Sequence, residues 1–332
     1  MVGRRSFTVI ALTVDVFAHF VGPIRRADSA TCASSSSVID YPESMPQSST
    51  DRVSKSRISL IALPYDSGRL DTRMGRGPRA ILERGLAEQL RSKQFDVAVT
   101  SIRLPDRFWT EGSALVELQR QAALAVREAV SRDARPLLIS GNCGPAALAA
   151  TAVLGPKATG VIWFDAHGDF NTPETSASGF LDGMALAILT GQCWSKLAAR
   201  FESFEPVPME HIVQIGVREV EPEEAIHLEQ SGITRIGPND LARLREVVGE
   251  LAKRVGQVYV HVDVDVLDLS EGWANTYACR GGLTLEDLYG ALEMIGPSVK
   301  IGAASITSYD PEADRDNRIG RAIPHLVELL AG

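Results

Sequence analysis

The chain has 332 residues, of which 45% are hydrophobic and 23% charged, and its formal net charge is −8. That length holds one large α/β domain or two ordinary ones, with enough apolar residue to fill a core. The acidic balance, with no Lys/Arg cluster, argues against a nucleic-acid or anionic-membrane partner, and the four scattered cysteines, Cys32, Cys143, Cys193 and Cys279, lack any CxxC pair and fit a reducing compartment.

Residues 1–56 differ from the rest. Arg4 and Arg5 precede a semi-apolar run over 7–21, interrupted by Asp15 and His19, and a Ser-rich stretch follows over 34–54. The run is too short and too broken for a membrane span. Two readings stay open: a leader, since Ala27-Asp28-Ser29-Ala30 loosely resembles a cleavage site, or an unfolded extension. Either way the expected folded, catalytic domain is 57–332, and without a cleaved leader the expected location is the cytoplasm.

From Arg57 onward, short apolar runs alternate with helical periodicity. Strands are predicted over 58–63, 95–100, 136–140, 160–165, 212–217, 233–236, 257–265 and 299–307. Helices are predicted over 78–93, 114–131, 145–153, 241–255, 285–295 and 318–330. Leu115, Leu118, Ala122, Val126 and Ala129 recur at the three- and four-residue spacing of a sheet-facing helix. This alternation predicts a three-layer α/β/α sandwich around a single doubly wound, mostly parallel sheet of about eight strands. There is no internal repeat and no GxxxxGK[ST] loop. Gly75-Arg76-Gly77 follows no strand, so a dinucleotide site gains little support.

Two acidic motifs interrupt the apolar runs. Asp165-Ala166-His167-Gly168-Asp169 stands at the end of one predicted strand, and Asp263 and Asp265 lie inside another. Buried carboxylates cost several kcal/mol each unless a cation or a full set of hydrogen bonds meets them. On a strand, Asp263 and Asp265 would share a face about 6.6 Å apart, with His261 one step deeper. Strand ends are where open α/β sheets place ligands. Carboxylates mixed with imidazole suit Mn, Fe, Zn, Co or Ni better than Ca. The alternative is a set of Asp residues that cap helices or pair with Arg.

These motifs, in this order on this alternation, resemble the ureohydrolase family of arginases, agmatinases and their relatives. The resemblance runs from about Ile58 to the C-terminus and includes Gly77-Pro78, the DAHxD motif, a DxDxxD motif ending at Asp268, and Gly281-Gly282-Leu283-Thr284. It implies the three-layer fold, two divalent ions (usually manganese) and a metal-bridging hydroxide that attacks a guanidinium carbon. It further implies that Asp165 and Asp263 bridge the ions, that His167 and Asp265 complete one position, and that Asp169 joins the other. Asn171, Ser176 and Ser178 match the loop that grips an α-carboxylate, and Glu221 and Glu224 match contacts to an α-ammonium, with Glu in place of the usual Asp at 221. Family members commonly form trimers or hexamers, so a homo-oligomer is expected.

The sequence departs from the family at three places. The family's Gly-Gly-Asp-His is here Ser140-Gly141-Asn142-Cys143. Cys143 is a soft ligand favouring Zn, Fe, Co or Ni over Mn, or an inert buried residue beside a degraded position, or a nucleophile without an evident base. The family's proton-shuttling histidine is Asp182, which can move protons, pair with a cation or cap a helix. The family's guanidinium-holding acid falls at Asp287, with Glu286 as an alternative register.

The expected function is therefore a metallohydrolase that cuts a C–N bond of a guanidino or amidino amino acid, arginine-like, releasing urea. Two alternatives remain at this level: a non-catalytic homologue that binds amino acid or metal, and a single-metal centre of the deacetylase type.

Overall fold

Parallel strands covered on both faces need apolar residues at every position, and the short unbroken runs supply them. The computed structural model describes residues 56–105 and 109–332, so nearly all of the extension expected over 1–56 lies outside the described residues. Strand β1 (Arg57–Leu63) leads into a small hairpin, β2 (Tyr65–Asp66) and β3 (Arg69–Leu70), then helices α1 (Gly77–Glu83) and α2 (Leu86–Ser92). Next come β4 (Asp96–Ser101), α3 (Glu111–Ser131), β5 (Ala134–Ser140), α4 (Cys143–Leu154) and β6 (Thr159–Phe164). Two short helices, α5 (Ala185–Leu189) and α6 (Ser195–Ala198), precede β7 (Ile212–Ile215), α7 (Pro222–Gln230) and β8 (Thr234–Ile236). The last elements are α8 (Leu244–Ala252), β9 (Gln257–Asp263), α9 (Leu285–Ile295), β10 (Ile301–Thr307) and α10 (Arg318–Ala331).

Eight of the strands form one sheet in the order β4-β1-β5-β10-β9-β6-β7-β8, and every neighbouring pair is parallel. Alternate side chains feed opposite faces. Leu60, Ile139, Ile162 and Val260 pack with Leu288, Ile323 and Leu326 of α9 and α10. Ile61, Leu138, Trp163 and Tyr259 pack on the other face with Leu118, Ala122 and Leu148 of α3 and α4. The expected α/β/α layering is present, and no described helix is long and apolar enough to cross a membrane.

Three local differences from the sequence expectation have physical causes. The helix expected over 78–93 is two helices, because Gly85 adopts a left-handed φ of 84° between them. The helix over 222–230 was not expected; Glu221 and Glu224 form its capping box. The strand expected over 257–265 stops at Asp263, whose carboxylate accepts the Asp265 amide at 2.9 Å and turns the chain into a 3-10 turn, Val264–Val266. A side chain that satisfies its own downstream amide competes with the sheet ladder.

That early stop places the chemistry. Strands β5, β10, β9 and β6 are consecutive in the sheet, and their carboxyl ends deliver Cys143, Ser308, Asp263 and Asp165 to one edge, where ligands of open α/β sheets bind.

Candidate metal centre

Asp165 follows β6 directly and is 1% exposed. Its Oδ1 accepts the His167 amide at 2.8 Å and its Oδ2 accepts Nε1–H of Trp163 at 3.0 Å. Asp265 reaches the same point from the 3-10 turn rather than by strand alternation, and accepts the Ala166 amide at 3.3 Å. His167 Nδ1 lies 3.4 Å from Asp165 Oδ1 and 3.4 Å from Asp265 Oδ2. Burial disfavours the imidazolium, but the two carboxylates overcome it and hold His167 protonated. Burial would raise Asp265 as well, yet His167 and the neighbouring hydrogen bonds draw it down to about 2.

The rest of the cluster lacks that compensation. Burial first, then mutual repulsion, pushes Asp263 and Asp169 well above the usual carboxylate range. Asp169 sits at a left-handed φ of 50°, and its buried Oδ2 has no hydrogen-bond partner. An orphaned carboxylate oxygen among buried acids is what a bound cation would satisfy. The donor atoms fall into two groups whose members all lie within 4.8 Å of one another: Cys143, Asp165, His261 and Asp263, and Asp165, His167 and Asp265. The donor set therefore fits divalent metal. Asp169, which the resemblance implies joins the position other than that of His167 and Asp265, lines the cavity but belongs to neither group, whereas His261, not assigned as a ligand from the sequence, belongs to one.

The β5 arm is the departure from the family motif. Cys143 opens α4 and is 2% exposed, with Sγ 3.2 Å from Asp263 Oδ2, to which it donates. The N-terminus of α4 does not serve a Cys143 thiolate. Asp182 takes those amides, accepting from Cys143 N and Gly144 N at 3.1 Å each and from Asn142 Nδ2 at 2.8 Å. Burial and the surrounding carboxylates raise the Cys143 thiol, so without a cation it stays protonated. Asp182 therefore caps α4 while its edge faces the cavity. Burial, only partly offset by the amides, pushes its carboxyl up to about 7.

Above the ligands is a cavity of about 280 Å³ whose walls include Asn171, Ser176, Ser178, Asp182, Glu221 and Glu224. Asn171 is buried and accepts the Thr175 hydroxyl at 2.8 Å. Ser176 and Ser178 accept the amides of Gly179 and Phe180 at 3.0 and 3.1 Å, so the loop is folded over its own hydroxyls. Glu224 accepts the Phe170 amide at 2.9 Å, and Glu221 accepts the Ala177 amide at 3.1 Å, tying the start of α7 to that loop.

Asp287 is placed elsewhere, and this corrects its expected role in holding substrate. Its carboxylate accepts the Thr284 amide and hydroxyl at 3.1 and 2.7 Å, closing the capping box of α9, and neither it nor Glu286 lines the cavity.

Two residues that organise the centre escaped the sequence reading. Asn275 is fully buried and donates to Asp265 Oδ2 at 3.2 Å and to the Ser308 carbonyl at 2.9 Å. Arg218 donates to the carbonyls of Gly216, Asp265, Val266, Leu267, Cys279 and Arg280, at 3.0–3.2 Å, and so clamps the turn that carries Asp265. A Cβ on Gly282 would stand 2.6 Å from Arg218 Nη2 and 2.5 Å from the Val266 carbonyl, which explains the second glycine of Gly281-Gly282. Neither residue had a local signal beyond standing near a recognised motif.

Comparison with known proteins gives a consistent picture. A model of the arginase family matches residues 56–331. The arginase of Bacillus caldovelox is 30% identical over 294 residues, covering 83% of this chain and 98% of its own length. The solved structure of that arginase superposes with a TM-score of 0.74 at 28% identity, covering 84% of this chain and 98% of the other. The arginase structure from Bacillus subtilis gives a TM-score of 0.72 at 27% identity, covering 83% and 99% respectively. The formimidoylglutamase of Bacillus subtilis shares the fold at 18% identity, with a TM-score of 0.67 and coverage of 83% of this chain and 86% of that one.

Proposed function

The chain belongs to the arginase family, and from that premise we propose that it is a metal-dependent hydrolase of a guanidino or amidino amino acid, with an arginine-like substrate and urea as product. The observation that carries the reading is the buried acid cluster at one sheet edge. Asp165, Asp169 and Asp263 are all at least 94% covered there, and one carboxylate oxygen has no partner. Two divalent ions, manganese by family custom or softer ions given Cys143, would neutralise that charge and lower the pKa of a shared water.

The chain's own residues account for the remaining requirements. Glu221 and Glu224 put negative charge on the cavity wall, which favours an ammonium. Asn171, Ser176 and Ser178 offer neutral polar groups suited to a carboxylate. Hydrolysis adds one water across the C–N bond, oxygen to carbon and a proton to the departing amine. Asp182, with one edge on the cavity, is the carboxyl positioned to pass that proton.

The test is urea release from purified protein reconstituted separately with Mn, Co, Ni, Zn and Fe(II), offered arginine, agmatine and guanidino acids. Turnover of at least one substrate is expected. No turnover with any metal, in protein that binds the metal, would overturn the proposed activity.

A further inference from the structure

The hydrolytic reading leaves one buried imidazole unused. His261 lies on β9 two residues before Asp263, hence on the same side of the strand, and is 0% exposed beneath the cavity floor. Its Nδ1 sits between the hydroxyls of Tyr259 and Ser305, at 3.1 and 3.0 Å. Those hydroxyls are 2.7 Å from each other. Nε2 has only the Thr307 hydroxyl beside it at 3.3 Å, and that hydroxyl is 3.4 Å from Cys143 Sγ. Trp163 stacks on the imidazole at 3.7 Å and 16°, and the same indole donates to Asp165. One side chain thus contacts both His261 and the Asp165 carboxylate.

We propose that His261 replaces the imidazole this chain lost at Cys143, so that Cys143, His261, Asp165 and Asp263 form a buried four-donor position for a soft divalent ion such as Zn(II). The assignment rests on the metal-centre reading above and adds the identity of the first position's ligands. The arrangement has the features of a ligating histidine: Nδ1 is held between the Tyr259 and Ser305 hydroxyls, and Nε2 lies on the side of Thr307 and Cys143. Cys143 now donates its thiol proton to Asp263. Metal binding exchanges that S–H for a sulfur–metal bond and sends the proton to solvent.

Donor atoms around a tetrahedral ion with bonds of roughly 2.0–2.3 Å stand about 3.4 Å apart; the four donors here lie within 4.8 Å of one another, and Cys143 Sγ and Asp263 Oδ2 already stand at 3.2 Å. The second position, Asp165, His167 and Asp265, has no sulfur and stays open to the cavity. The centre is therefore graded by donor type, with a sulfur and the fully buried His261 at one position and only carboxylates and the part-exposed His167 at the other.

Cobalt(II) titration of the full-length, metal-free protein tests this without substrate. The first equivalent should produce intense tetrahedral absorption with a thiolate-to-cobalt band in the near ultraviolet. Cys143→Ser should erase that band. His261→Gln should lower stoichiometry from two ions to one. Should His261→Gln fail to fold, proton NMR of the wild-type cobalt protein gives the same answer: a paramagnetically shifted, slowly exchanging N–H from the sealed His261, distinct from that of the part-exposed His167. A first equivalent without the thiolate band, a His261→Gln variant that still binds two ions, or the absence of that slow N–H would each overturn the assignment. Such results would leave the hydrolytic reading intact. If no cobalt binds at all, both fail.

Discussion

On the cavity floor, Asp165, Asp263 and Asp265 are 1%, 4% and 2% exposed, and each accepts a backbone amide from the turns that follow β6 and β9. At the rim, Ser176, Ser178 and Glu221 are partly or fully open to solvent and are held by bonds within and between two adjoining loops. The floor concentrates like charge at strand ends where the backbone cannot yield, so losing one carboxylate changes what the whole cluster can hold. The rim adjusts one contact at a time. Floor substitutions should therefore act on metal retention and stability together, whereas rim substitutions should act on substrate affinity alone.

The sharpest break of that contrast is Asp263→Asn. Removing its negative charge should abolish retention of the ion held with Cys143, Asp165 and His261 through desalting, a loss of about 100-fold in affinity of the kind seen when ligand shells are disturbed; elemental analysis of the desalted variant checks it. Asp182→Asn lies between floor and rim. We expect turnover to fall by about 100-fold, the scale of a positioned proton-transfer group, while metal content changes little. Equal losses in both would assign Asp182 a purely structural role as the cap of α4.

Stability measurements sharpen the comparison further. Arg218→Met frees carbonyls of the Asp265 turn and should cost about 3 kcal/mol in denaturant unfolding, given the usual penalty for orphaned buried polar groups. The pH dependence has a definite sign in metal-free protein. Asp263, Asp169 and Asp182 hold protons in the folded state that the unfolded chain releases near pH 4, Asp182 up to about 7. The folded state binds more protons in that interval, so the melting temperature should fall as pH rises from 5 to 7. Metal-loaded protein should lose most of that slope, because cations then do the neutralising. A metal-free protein that grows more stable over the same interval would contradict the assignment of the cluster. The smallest effect belongs to the rim: Ser178→Ala should raise KM for arginine a few-fold, as expected for a single neutral hydrogen bond, with kcat and metal content unchanged.

Much of the fold was legible because parallel strands advertise themselves as unbroken apolar runs. All eight expected strands overlap those of the sheet, and the α9 boundaries coincide with the expected 285–295. The acidic motifs were legible for the complementary reason, that charge inside such runs is costly. What failed was the local geometry that side chains impose on the backbone. Asp263 ended its own strand, Gly85 split a helix, and Thr284-Leu285-Glu286-Asp287 carried a capping-box pattern whose acid was read as a substrate contact. Arg218 and Asn275 were invisible because most of their partners are backbone carbonyls tens of residues away in sequence. No periodicity encodes that. His261 was visible as a residue on the right strand face, but its role depends on a tryptophan from β6 and hydroxyls from β10.

Elemental analysis of the full-length protein, loaded with divalent metal and freed of excess by dialysis, tests the central claim most directly. Close to two ions per chain is the predicted result, released together when Asp165 is replaced by Asn. A properly folded wild-type sample that retains none would contradict it.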